Sequence, residues 1–270
     1  MKRGYVPFLL LSLLVVPLVN VIGQVDQKLT GDEIISKHLA AVGGREALAK
    51  FKTRVAVGTV RMESEPEARF AVMSEPNKLS VFYGFRDFDL RMVYDGKTAW
   101  VRPAMPRQVA NLTDKYQQML ASGLMFNSMS LYNLIESSHP GELKFEAKGL
   151  KKVDGKPAYV VQLKPAKGSA ARLFFDAESF MWIRTEYGSA SVSKEIGGFT
   201  NDIVNQGGSE TTVDFYIETS DFREVDGVKL PFKFVQVLTS PILRQKAIDT
   251  ISGSIREYLH NGNIDPKMFQ

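Results

Sequence analysis

Cysteine is absent from all 270 residues. That excludes disulfides, thiolate catalysis, cysteine-ligated metals and the lipid-modified cysteine that begins a mature bacterial lipoprotein. Histidine is scarce: His38, His139 and His260 are the three. They stand far from one another and from suggestive partners, and so read as structural or surface residues rather than metal ligands. Catalytic signatures are missing as well. The chain holds no Gly-x-Ser-x-Gly elbow, no His-Glu-x-x-His and no Gly-x-x-x-x-Gly-Lys. The pairs Gly43-Gly44, Gly197-Gly198 and Gly207-Gly208 lack dinucleotide-fingerprint spacing. Charge of one sign is not in large excess, with 34 Lys and Arg against 30 Asp and Glu. No basic run interleaved with aromatics marks a nucleic-acid surface. After residue 22 no hydrophobic run is long enough to span a bilayer, which takes about 20 apolar residues.

What is present begins at the N-terminus. Lys2 and Arg3 precede an apolar run, Phe8–Ile22, which Ser12, Pro17 and Asn20 interrupt. The pattern predicts a cleavable signal peptide over residues 1–23, cut at Gly23/Gln24, and therefore export to the periplasm without a stable transmembrane anchor after cleavage. Loss of Lys2 and Arg3 lowers the formal charge from +4 to +2, too near neutrality for nucleic-acid affinity. Residues 24–270 suit one all-β or α+β domain, large enough to bury a core without covalent staples.

The mature chain opens with helical spacing. Ile34, Ile35, His38, Leu39 and Val42 recur within Asp32–Lys50, which predicts two short helices joined at Gly43-Gly44 and capped by Thr30 or Asp32. From Phe51 the period falls to two. Strands are expected over Val55–Met62, Ala68–Met73, Leu79–Tyr83, a strand carrying Phe88, Leu90, Met92 and Tyr94, and Thr98–Arg102. Asp-Gly follows a strand-like run at Asp95-Gly96, Asp154-Gly155 and Asp226-Gly227. This dipeptide suits two-residue turns that need positive φ, so a meander of hairpins follows, with one buried and one wet face. Long alternating runs continue through Ala171–Gln236. One segment breaks the cadence: Thr113–Ser138 has helical spacing, with Met119, Met125 and Met129 on it and Gly123 as a bend point. It reads as an ordinary core helix or as a lid of adaptable thioether side chains over the sheet.

Weaker signals carry no chemistry. Asp87-Phe88-Asp89 pairs two carboxylates, but alternation puts both on the wet face. Asn261, Asn263 and Asp265 lack the central glycine of a calcium loop. Asn111-Leu112-Thr113 fits a glycosylation sequon only formally.

Several of these pieces occur in an order that resembles a known family. They are the opening helix with Gly43-Gly44, the hairpin Val93-Tyr94-Asp95-Gly96-Lys97-Thr98-Ala99-Trp100, and Phe174-Phe175-Asp176 leading to Trp182-Ile183-Arg184. Asp226-Gly227-Val228-Lys229-Leu230-Pro231-Phe232 and the ending Asn263-Ile264-Asp265-Pro266-x-x-Phe269 complete the set. Nearly the whole mature chain is similar to exported relatives of the outer-membrane lipoprotein-sorting (LolA-type) carriers. Glu75 before Pro76 departs from the basic residue common there, and Ser191–Ser209 is extra material. The resemblance implies an α+β fold, an open antiparallel β-half-barrel with a helical cap over a hydrophobic cavity.

Residue size and alternation nominate the cavity wall: Phe70, Val72, Val81, Tyr83, Phe88, Leu90, Met92, Trp100, Phe175, Trp182, Phe215 and Phe232. Met119, Met125, Phe126 and Met129 form the lid. The expected function is non-enzymatic carriage of a lipid, a lipoprotein acyl chain or a similar apolar ligand, without a cofactor, between envelope donor and acceptor proteins. An envelope sensor or structural module with a filled core, and an unrecognised hydrolase, are the alternatives.

Overall fold

A computed structural model describes residues 29–62, 66–86, 89–103, 110–111, 128–165, 170–193, 210–239 and 247–270. The expected signal peptide, Phe88, most of Thr113–Ser138 and the extra segment after Ser193 lie outside the described residues.

The helices at the start follow from capping and spacing. In α1, Gly31–Ala41, the Thr30 side chain accepts from the Glu33 amide while the Glu33 carboxylate accepts from the Thr30 amide, a reciprocal capping box. Asp32 and Glu33 also sit where the helix dipole favours negative charge. Gly43 and Gly44, with φ of 127° and 88°, end α1 and turn the chain into α2, Arg45–Ala49.

Among the described residues, thirteen strands then form one antiparallel sheet. They are β1 Arg54–Met62, β2 Ala68–Glu75, β3 Lys78–Gly84, β4 Asp89–Tyr94, β5 Ala99–Pro103, β6 Ala110–Asn111, β7 Leu143–Val153, β8 Lys156–Pro165, β9 Ala171–Asp176, β10 Trp182–Ser193, β11 Glu210–Val225, β12 Val228–Thr239 and β13 Ala247–His260. A third helix, α3, Ser128–Ser137, lies between β6 and β7 in sequence. Each strand from β1 to β6 pairs with the next, each from β7 to β13 does likewise, and β1 joins β13. The two meanders therefore meet at the chain's ends, leaving β6 and β7 as the outer members of an unclosed sheet. The β7 edge exposes Lys144, Glu146 and Lys148, charges that discourage a further strand from adding there.

Turn chemistry separates the three Asp-Gly sites. Asp154-Gly155 and Asp226-Gly227 have positive φ at both residues and are tight two-residue hairpins. Asp95-Gly96 is different. There the loop has four residues, and the Asp95 carboxylate accepts from the Lys97 and Thr98 amides, so side-chain capping replaces the tight turn.

The faces are distinct. On the inner face one continuous apolar cluster runs from Val60 and Phe70 through Tyr83, Leu230 and Phe234 to Leu163 and Phe175, and takes in Ile34, Leu39, Met129 and Leu131 of the helices. The outer face carries two small clusters, one around Val153, Ala158, Val160 and Phe174, the other around Val93, Ile264 and Phe269. Close approach explains Gly31. A Cβ there would stand 2.1 Å from the Phe145 carbonyl oxygen, so glycine lets α1 start against β7.

Candidate functional site

The inner face gathers most of the expected wall. Phe70 and Val72 on β2, Val81 and Tyr83 on β3, Leu90 and Met92 on β4, Phe175 on β9, Trp182 on β10 and Phe232 on β12 all belong to the one cluster, with Met129 of α3. Trp100 does not. It pairs with Val93 and packs with Ile264 and Phe269 on the outer face. Side-chain size points this indole inward, pairing register points it outward, and register decides. Phe215 pairs with Leu238 and Tyr187 in β11, but its side chain, like Phe88, Met119, Met125 and Phe126, lies outside the described residues.

Aromatic contacts knit the cluster. Phe70 lies 5.2 Å from Tyr83 and 4.9 Å from Phe234, while Phe175 lies 6.2 Å from Trp182, ring centre to ring centre. Gly253 makes room for this packing, since a Cβ there would come within 2.1 Å of the Phe234 ring. Burial of each such side chain contributes about 1.5–3 kcal/mol.

Polar groups enter this apolar surface at several places, and three of them bear on the site. Tyr83 donates its hydroxyl to Gln236 Oε1 at 3.2 Å, and burial pushes the phenol well above its ordinary pKa. His38 is the second, fully buried between α1, α3 and the β9–β10 turn. Its Nδ1 lies 2.9 Å from the Phe180 carbonyl oxygen and its Nε2 lies 3.0 Å from Ser128 Oγ. The carbonyl can only accept, so Nδ1 carries the proton and Ser128 donates to Nε2. Burial lowers the His38 pKa to about 4 despite the opposing pull of the Phe180 carbonyl, keeping the ring neutral. The ring also lies 5.0 Å from that of Phe175. One imidazole thus ties the first residue of α3 to α1 and to the sheet.

Arg54 is the third. Its side chain points from β1 to the inner face and is 1% exposed. Nε donates to His260 Nε2 at 3.2 Å, and His260 Nδ1 donates to Asp226 Oδ2 at 2.8 Å. The Tyr258 ring centre stands 5.8 Å from the guanidinium carbon. Both terminal nitrogens, Nη1 and Nη2, are buried without a hydrogen-bond partner among the described residues. Burial lowers the Arg54 pKa to about 10, which still leaves it charged at neutral pH.

Arg54 lines a pocket with Ala56, Phe70, Val72, Thr219, Pro231, Lys233, Phe234, Ile255 and Tyr258. Its inner room is about 20 Å³, space for about one water, and its empty volume including solvent at the mouth is about 370 Å³. Nothing in sequence singles Arg54 out except its place at the head of an alternating strand, on the same parity as Ala56.

Architecture and face chemistry define the class: an open, antiparallel half-barrel with helices seated on its apolar inner side. The chain is similar to several solved structures. A DUF1329 family protein from Desulfovibrio piger is 10% identical with a TM-score of 0.50, the match covering 89% of this chain and 97% of that one. A LolA superfamily protein from Nitrosomonas europaea is 13% identical with a TM-score of 0.46, over 90% of this chain and 98% of that one. A domain from Vibrio parahaemolyticus assigned to outer-membrane lipoprotein sorting is 10% identical with a TM-score of 0.49, over 88% and 95%. At these identities the likeness concerns the fold alone. No family model matches the chain, and no curated protein matches it. Among the described residues, no helix is long and apolar enough to cross a membrane.

Proposed function

We propose that this protein is a periplasmic, non-enzymatic carrier that holds an acyl chain, a lipoprotein's lipid or a similar apolar ligand against the inner face of its half-barrel. The observation that carries the reading is the single apolar cluster running across the inner face and continuing onto α3. A sheet needs only one layer of helix to bury such a face. Here α1, α2 and the ten-residue α3 cover it, and α3 is tied down by the His38–Ser128 hydrogen bond and an exposed Arg45–Glu136 ion pair.

The pocket at Arg54 has room for about one water, so an acyl chain reaches past it and displaces α3 to lie on the inner face. Breaking that one neutral hydrogen bond and an exposed ion pair costs roughly 1–2 kcal/mol net. Each methylene buried in exchange contributes about 0.8 kcal/mol. A chain of about 14 carbons therefore offsets both the opening and part of the cost of association. Donor and acceptor proteins of the envelope would load and unload it.

Titration of the purified mature protein with a fluorescent fatty acid tests the reading, with saturation expected near one site per chain. The dense apolar cluster of the described residues favours one competing reading, an envelope sensor or structural module. Absence of saturable binding would select that module and remove the carrier.

A further inference from the structure

The pocket at Arg54 is where the inner face stops being purely apolar. A guanidinium has five N–H donors in a planar fork, and taking it out of water is costly unless those donors are satisfied. Among the described residues Nε is satisfied by His260, but the terminal pair, Nη1 and Nη2, is not. Native proteins pair nearly all buried polar groups, so an orphaned pair calls for a reason. The fork geometry of Nη1 and Nη2 matches a two-oxygen anion.

The surroundings point the same way. Phe70, Val72, Phe234 and Ile255 wall the pocket with hydrocarbon. Among the described residues no carboxylate lines it. Asp226, the nearest carboxylate in the chain of contacts, sits behind His260 and is spent on its Nδ1. That arrangement fixes His260 as an acceptor toward Arg54 and holds the guanidinium in place, while leaving its positive charge uncompensated. Tyr258, which donates its hydroxyl to the Pro231 carbonyl, completes the wall.

We propose that Arg54 receives the anionic end of the cargo, a carboxylate or phosphate oxyanion carried on an acyl chain whose first methylenes lie on Phe70, Val72, Phe234 and Ile255. This rests on the carrier reading and narrows its cargo from apolar molecules in general to anionic single-headed amphiphiles. Desolvated fork-on-oxyanion pairing supplies orientation as well as affinity, so the head seats first and the chain runs along the inner face toward α3.

Displacement of a fluorescent fatty acid by palmitate, hexadecyl phosphate and hexadecanol, which share one chain length, tests the head group directly. The wild-type protein is expected to bind at least one of the two anions about tenfold or more tighter than the alcohol. The better anion tells a carboxylate from a phosphate source. Arg54→Met should remove that preference by weakening the anions alone, and Arg54→Lys should restore part of it. Equal affinity for all three ligands in the wild type would overturn the head-group site and leave the carrier reading standing. Failure of all three to bind would overturn both. The wild-type comparison decides even if a variant does not fold.

Discussion

Two basic side chains are buried on the same apolar face, and they are treated in opposite ways. His38, under the helices, has both ring nitrogens satisfied and is kept neutral by burial. Arg54, at the β1–β13 end, stays charged with two of its nitrogens unpartnered among the described residues. A buried polar group that completes the fold finds its partners within the fold. One left incomplete in an otherwise economical core marks the place where something else is expected. The helix-covered end reads as a fastening, and the Arg54 end as a receptor.

That contrast makes His38→Ala the most damaging change. It removes a packed ring beside Phe175 and Trp182 and strips partners from Ser128 and the Phe180 carbonyl. A loss of about 3–4 kcal/mol is expected in urea unfolding. If the midpoint barely moves, His38 is not the fastening.

Acid should act through the same group. Below pH 6.5 the unfolded chain takes up a proton on this imidazole, while the native one resists until about 4. Unfolding therefore binds a proton in this window, and stability falls as pH falls, by about 3 kcal/mol in all, levelling off below about 4. Urea midpoints across pH 7 to 4 measure it. A His38→Gln variant, which cannot titrate, should lose much of the slope, and an unchanged slope would assign the pH dependence elsewhere.

Arg54→Met should move stability the other way. Replacing a buried, half-satisfied charge by an apolar side chain of similar reach is neutral or stabilising by about 1–2 kcal/mol in the ligand-free protein. A loss of several kcal/mol would make Arg54 a structural cation and erase the contrast with His38. The smallest effect belongs to the local cap: Thr30→Ala breaks the capping box at the start of α1 and should cost about 1 kcal/mol, read from the thermal midpoint.

Much of the fold was legible because local rules agree with the tertiary answer. Thr30 and the Gly43-Gly44 break bound α1 and α2 where the spacing predicts, and β1 to β5 match the alternating runs to within two residues. The open sheet follows from successive hairpins. Three things were not legible. Turn type at Asp95-Gly96 depends on where the Asp95 side chain bonds, which the dipeptide does not encode. The face of Trp100 is set by pairing with Val93 rather than by its bulk. Arg54 resembles any strand-end arginine until β13 brings His260 beside it and β12 covers it, contacts between residues about 200 positions apart in sequence. The lid residues Met119, Met125 and Phe126 and the leader at residues 1–23 lie outside the described residues and stay as proposals.

Whether this half-barrel carries an amphiphile can be asked of the protein as a cell makes it. Native mass spectrometry of the mature chain, recovered from the envelope fraction without detergent, would weigh it with whatever it holds. The carrier reading predicts a chain beginning near Gln24 with one bound amphiphile, released on activation as an anion bearing an acyl chain. A bare chain, from a preparation that also fails to take up added fatty acid, would contradict it.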